Sequence, residues 1–254
     1  MRELTIDLNA DVGEGAGEAA GAAPLYSIVT SVNIACGVHA GDEATMRRSV
    51  ERALEHTVAI GAHPGYDDRE HMGRRSLTLA PYDVERLVVA QIRTLQRIVT
   101  AAGGRLGHVK PHGALYNQAA VDATLARAVA AAVAAVDPAL TLVGLAGGQM
   151  IDAGRAAGLA VASEVFCDRG YRADGTLIPR DEPGALIEDP AAVAAQAVAF
   201  ARPIVTPTSD GHDGNTRLAD TICVHADSPG ALERAAAVRS ALESAGVAVR
   251  RFSS

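Results

Sequence analysis

The chain has 254 residues, 48% hydrophobic but only 3% aromatic, with no Trp and a formal net charge of -7. This length fits one large core or an α/β barrel, a single domain over residues 1–254, and a core of Ala, Val, Leu and Ile suits helices packed on a parallel sheet. An acidic balance without a basic or aromatic-interleaved patch argues against nucleic acid as a partner, and without a run of about 18 uncharged apolar residues no membrane span is expected.

The opening MRELTIDLNADVGEG brings in carboxylates at once and has no apolar signal core, so a cytoplasmic location is expected. β-rich runs lie at 4–8, 30–35, 58–62, 107–110, 141–145, 160–166 and 221–225. Between most of them the pattern is helical. Asp42 reads as the N-cap of a helix reaching Thr57, and Pro81 as the first-turn residue of a long helix that stops at Gly103 and Gly104. Residues 119–136 and Gln149 to Gly158 read as two more helices. Asp189 with Pro190 opens a segment ending at Phe200, and Ser228 with Pro229 opens the last helix, ending near Gly246.

Seven strands alternating with about six helices give a parallel α/β protein, either a barrel or an open doubly wound sheet. Polar residues decide between them. Asn9 and Asp11 follow the first strand, Asn33 and His39 the second, His63 the third, and Lys110 and His112 the fourth. Glu164, Asp168 and Arg169 follow the sixth, and His225 and Asp227 the seventh. A barrel collects its chemistry from the carboxyl ends of many strands, whereas an open sheet concentrates it at one or two loops. An irregular, seven-stranded parallel (β/α) barrel fits best.

Alternation along a strand puts Asp7, Asn9 and Asp11 on one side and His108, Lys110 and His112 on one side of another. Buried polar groups of this number must pair with one another or with a ligand. Lys110 is the only lysine in the chain; the other 22 basic residues are arginine. Lysine offers a compact point charge that arginine does not. Asp11, His39 and His63 together have the ligand types of a zinc-like site, the other reading being hydrogen-bonding or acid-base histidines.

Residues 63–75 and 168–186 are long for barrel loops and read as binding lids. Their Arg74, Arg75, Arg169, Arg172 and Arg180 are candidate clamps for a carboxylate or phosphate. Cys36, Cys167 and Cys223 show no C-x-x-C spacing and read as buried thiols. GEGAGE at 13–18 and LAGG at 145–148 match neither nucleotide motif.

The blocks DLNADVGEG (7–15), SVNIACGVHAGD (31–42), GAHPGY (61–66), HVKPHGALYN (108–117), EVFCDRGYRADGTLIPR (164–180), GALI (184–187) and TICVHAD (221–227) closely resemble the family of prokaryotic 5-oxoprolinase A-subunits, the lactam-utilisation proteins. Ala226 stands where that family usually has Gly, and 203–216 is the stretch least like it. The resemblance implies a barrel related to the sugar deacetylases, in the glycoside hydrolase/deacetylase superfamily. It implies ATP-dependent opening of 5-oxo-L-proline to L-glutamate with two other subunits, ATP being bound by this chain or by a partner. Within that expectation Lys110, Asp11, His63, His112 and Glu164 are catalytic. Asn9, Asn33, His39, Asp168, Arg169 and His225 bind the lactam, Arg169 through its carboxylate. A divalent metal, if bound, uses Asp11, His39 and His63. The alternatives are a stand-alone metal-dependent amidohydrolase or deacetylase and a non-catalytic substrate-binding subunit.

Overall fold

The computed structural model describes residues 4–15, 23–202, 204–207, 213–217, 219–225 and 230–252. Ala226, Asp227, Ser228 and Pro229 lie outside them.

Seven parallel strands close into a barrel: β1 (Leu4–Val12), β2 (Ser31–Ala35), β3 (Ala59–His63), β4 (Leu106–Val109), β5 (Thr141–Leu145), β6 (Ala160–Phe166) and β9 (Thr221–Cys223). The first six follow chain order, and β9 completes the ring by pairing with both β6 and β1. Three strands go beyond the expected set. An antiparallel hairpin of β7 (Ile204–Pro207) and β8 (Asp213–Arg217) falls in the stretch least like the family. The short β10 (Val247–Val249) pairs with Leu4 to Ile6 of β1. β1 is long enough to serve three neighbours: Leu4 to Ile6 pair with β10, Asp7 to Asn9 with β9, and Asn9 to Val12 with β2.

Three helices form where Asp42, Pro81 and Asp189 predict, whereas the last, expected to open at Ser228 and Pro229, begins at Ala231 with Gly230 as its N-cap. α1 (Glu43–Glu55) starts at Asp42, whose carboxylate accepts from the Thr45 amide at 2.7 Å. α2 (Pro81–Ala101) has Pro at its first turn. The stretch expected as one helix over 119–136 is two, α3 (Gly113–Val121) and α4 (Ala123–Val136). Asp122 ends the first and caps the second, accepting from the amides of Thr124 and Leu125. α5 (Gln149–Ala156), α6 (Pro190–Phe200, capped by Asp189) and α7 (Ala231–Ser244) complete the described helices. No single helix among them is long and apolar enough to cross a membrane.

Two faces of β1 explain the core. Ile6, Leu8, Ala10 and Val12 join the apolar cluster shared with the helices. The alternate residues Asp7, Asn9 and Asp11 point across the barrel. A barrel interior is ordinarily filled by layers of branched apolar side chains; here much of it is a hydrogen-bonded polar stack. Asp7 accepts from Ser31 Oγ and Thr221 Oγ1, and Asn33 Nδ2 donates to Asn9 Oδ1 at 2.8 Å. His108 Nε2 lies 2.9 Å from Asn33 Oδ1.

Candidate active site

The polar stack rises to the carboxyl ends of the strands, where Lys110 is its central cation. The ammonium is 2% exposed and lies 2.8 Å from Glu164 Oε1, 3.0 Å from Asp11 Oδ1, 3.3 Å from Asn9 Oδ1 and 3.1 Å from Cys223 Sγ. It also sits 5.0 Å from the centroid of the Phe166 ring, an attractive placement for a cation. Burial disfavours its charge, but Asp11, Cys223 and Glu164 outweigh that and hold the amine well above its usual range. Lys110 is therefore a fixed charge rather than a proton carrier.

Beside it, Asp11, Glu14, His63 and His112 form a second cluster. His63 Nε2 lies 3.3 Å from Asp11 Oδ2, 3.4 Å from Glu14 Oε1 and 3.0 Å from His112 Nδ1. His112 Nδ1 lies 2.9 Å from Glu14 Oε1. Burial works against both carboxylates. The charges of His63 and Lys110 nevertheless hold Asp11 well below the ordinary range, and contacts with His112, His39 and His63 do the same for Glu14. For His63 burial also opposes the charge, but Asp11 and Glu14 push it up to about 9. His39 stacks on His112 at 4.0 Å between centroids and is driven down to about 4, chiefly by burial. The glycines near these histidines make room for the rings themselves. A Cβ on Gly65 would lie 2.7 Å from His39 Nδ1, and one on Gly73 2.9 Å from His39 Cβ.

Across the opening, His225 is held through Nδ1 at 2.9 Å from the Asp168 carboxylate, which also accepts the His225 amide. His225, Asp11 and Cys223 bring ligand atoms within 4.8 Å of one another, so this pair borders the same space. A cavity of about 670 Å³ joins these groups; its wall includes Asp11, Glu14, His63, Lys110, His112 and His225. Both long loops reach it, through Arg74 and through Arg169, Arg172 and Arg180.

The structure thus gathers Asn9, Asp11, Asn33, His63, Lys110, His112 and Glu164 in one continuous network, with Asp168 and His225 opposite. Four expected residues sit differently. Arg169 spends its guanidinium on its own loop: Nε donates to Ala185 O at 2.9 Å and Nη2 to Ile178 O. Arg172 pairs with Glu182, and Arg75 with Asp68. His39 reaches Glu14 at 3.6 Å, so the metal-type groupings that hold these histidines among the described residues are Asp11–Glu14–His63 and Glu14–His39–His112 rather than Asp11–His39–His63, beside the Asp11–Cys223–His225 set. Glu14, which sequence reasoning did not single out, is common to the first two. Its signal was present: it follows the first strand by two residues, across Gly13 at φ +82°, where the other strand-end residues carry the chemistry.

The LamB/YcsF family model matches residues 6–254. The 5-oxoprolinase A-subunit from Heliobacterium modesticaldum is 52% identical over 249 residues, covering 97% of this chain and 98% of that protein. The crystal structure of a lactam utilization protein from Thermus thermophilus has a TM-score of 0.85 and 43% identity, covering 98% of this chain and all of that one. A family 4 carbohydrate esterase from Streptomyces lividans is similar in fold alone, with a TM-score of 0.52 and 12% identity over 98% of this chain and 93% of its own.

Proposed function

This chain belongs to the LamB/YcsF family, and from that premise we propose that it is one component of an ATP-dependent 5-oxoprolinase that opens 5-oxo-L-proline to L-glutamate, working with two other subunits. The observation that carries this reading is the cavity of about 670 Å³, in which a carboxylate-imidazole cluster at the floor faces an arginine-bearing loop. It lies within the size range of small-molecule sites and has room for a five-membered lactam with a phosphoryl group beside it.

A lactam carbonyl is a poor electrophile. Transfer of the ATP γ-phosphoryl group to its oxygen leaves ADP and an activated C–O–P carbon. Water then adds to that carbon, the ring C–N bond breaks as the nitrogen gains a proton, and a second water releases phosphate from the acyl phosphate to give glutamate.

In this scheme the cluster of Asp11, Glu14, His63 and His112 activates water at the floor. Lys110 aims a fixed charge at the oxygen where negative charge develops, in a site too dry to screen it. Glu164, which does not line the cavity, anchors that ammonium rather than touching substrate. His225, oriented by Asp168, gives the proton to the departing nitrogen. Arg180 takes the carboxylate role first expected of Arg169.

The test is glutamate release from 5-oxoproline, with and without ATP, by the chain alone and mixed with candidate partner subunits. Release only in the mixture and only with ATP is the expected result. Release by the chain alone without ATP overturns the reading in favour of a self-sufficient amidohydrolase. Unchanged turnover by assemblies carrying Asp11→Ala or Lys110→Ala, with weaker substrate affinity, overturns it in favour of a non-catalytic binding subunit.

A further inference from the structure

We propose that Asp11, Glu14, His63 and His112 form a binding site for one divalent first-row transition-metal ion at the cavity floor. The hydrogen atoms of the two imidazoles decide the matter. His63 Nδ1 lies 2.7 Å from the Lys110 carbonyl oxygen and His112 Nε2 lies 2.8 Å from the Met72 carbonyl oxygen. A carbonyl only accepts, so both of those nitrogens carry hydrogen. In the neutral rings His63 Nε2 and His112 Nδ1 are then bare lone pairs, and they face each other at 3.0 Å.

The carboxylates meet them with more lone pairs. Glu14 Oε1 is 2.9 Å from one bare nitrogen and 3.4 Å from the other, and Asp11 Oδ2 is 3.3 Å from His63 Nε2. Glu14 Oε1 meets imidazole nitrogens, and its side chain is only 7% exposed. Electron-pair donors gathered this closely around His63 Nε2 repel one another unless a proton or a metal cation lies among them. In the absence of an ion, a proton on His63 Nε2 occupies the point that faces Asp11, Glu14 and His112, and a bound metal would take that proton's place.

The separations suit an ion. Ligand atoms about 2.0–2.1 Å from a tetrahedral centre stand roughly 3.3 Å apart, close to the separations of His63 Nε2 from Asp11 and Glu14, 3.3 and 3.4 Å. The outward nitrogens also follow the pattern of metal-bound histidine, in which the ring N–H that does not face the metal is held by a carbonyl or carboxylate. Two imidazoles with two carboxylates select zinc, manganese, iron or cobalt rather than calcium or magnesium. His39 belongs to the support: it packs face to face on His112 and does not complete the set with Asp11 and His63. All four ligand residues line the cavity, so an ion held there would supply Lewis acidity to a water or carbonyl.

Binding can be read without turnover. The full chain, stripped with a chelator, is titrated with Zn²⁺ by calorimetry near neutral pH and with Co²⁺ by visible absorption. One equivalent is expected, with Co²⁺ bands typical of nitrogen and oxygen ligation. Glu14→Gln and His112→Ala should each weaken Zn²⁺ binding by about 100-fold while the circular dichroism spectrum is kept. Should either variant fail to fold, the ¹⁵N resonances of the wild-type histidine rings decide: two rings shift on adding one equivalent of Zn²⁺ if the proposal holds. No saturable uptake, wild-type affinity in both variants, or unmoved ring resonances would overturn it. ATP-coupled glutamate release is measured separately, so one bound ion without turnover defeats the lactam reading alone, and turnover in chelated protein without uptake defeats the metal site alone.

Discussion

Lys110 and Glu164 meet inside the barrel at 2.8 Å, the ammonium 2% exposed and the carboxyl group fully buried. Such a pair stabilises little compared with an apolar substitute, but removing one partner leaves the other stranded. Lys110→Met should therefore cost about 3–5 kcal/mol in urea denaturation and abolish turnover. Lys110→Met with Glu164→Gln should recover part of the stability and none of the activity. Equal losses in the single and double variants would show that the two residues are not energetically coupled.

Asp7 gives a pH dependence of stability with a definite sign. Its carboxyl group is buried, accepts from Thr221, Ser31 and Thr30, and is pushed up from 3.8 to about 6 by burial, with Glu164 adding to the rise. The folded chain therefore binds this proton more tightly than the unfolded chain does. Its contribution is fully present below pH 3.8 and is lost as pH rises toward 6. Asp7→Asn removes the penalty while keeping the shape. The variant should match the wild type near pH 4 and exceed it by about 2–3 kcal/mol above pH 6. Urea melts across that interval check it; a constant offset between the two proteins would refute the account.

Gly61 and His108 test how the interior is packed. A Cβ on Gly61 would lie 2.1 Å from His108 Nε2, and this imidazole also contacts Asn33. Gly61→Ala thus forces the ring off its rotamer, at a cost of about 1–3 kcal/mol or more. In a His108→Ala background the same change should cost much less, because the obstructing ring is gone. A double-mutant cycle measured by denaturation reads the difference directly.

The barrel was legible because its signals are local: caps at Asp42, Pro81 and Asp189, and a polar residue at the end of nearly every strand. The split at Asp122 was hidden by an alanine-rich context in which helix propensity is high on both sides. β10 was hidden because three residues, Val247 to Val249, carry too little alternation to register. In the site, strand periodicity placed the inward stripes, since Asp7, Asn9, Asp11, His108 and Lys110 all follow from a repeat of two. It could not say which histidine meets which acid, because the loops after the strands set that. Glu14 therefore escaped notice, and His39 was grouped with Asp11 and His63 rather than with Glu14 and His112.

Arg169 carries the last prediction, since sequence and structure give it different work. Nε and Nη2 donate to the carbonyls of Ala185 and Ile178, tying together a loop whose backbone also pairs Gly170 with Ala185 and Ile187 with Asp168. Lysine cannot hold two carbonyls with a planar fork. Arg169→Lys should loosen residues 170–187, raising their cleavage rate in limited proteolysis about tenfold through easier local opening. Because Arg180 and Arg172 ride on that loop and line the cavity, KM in the proposed reaction should rise with it. A carboxylate clamp would behave differently, raising KM while the cleavage rate stayed that of the wild type. The two measurements on one variant therefore separate a residue that shapes the cavity from one that touches its contents.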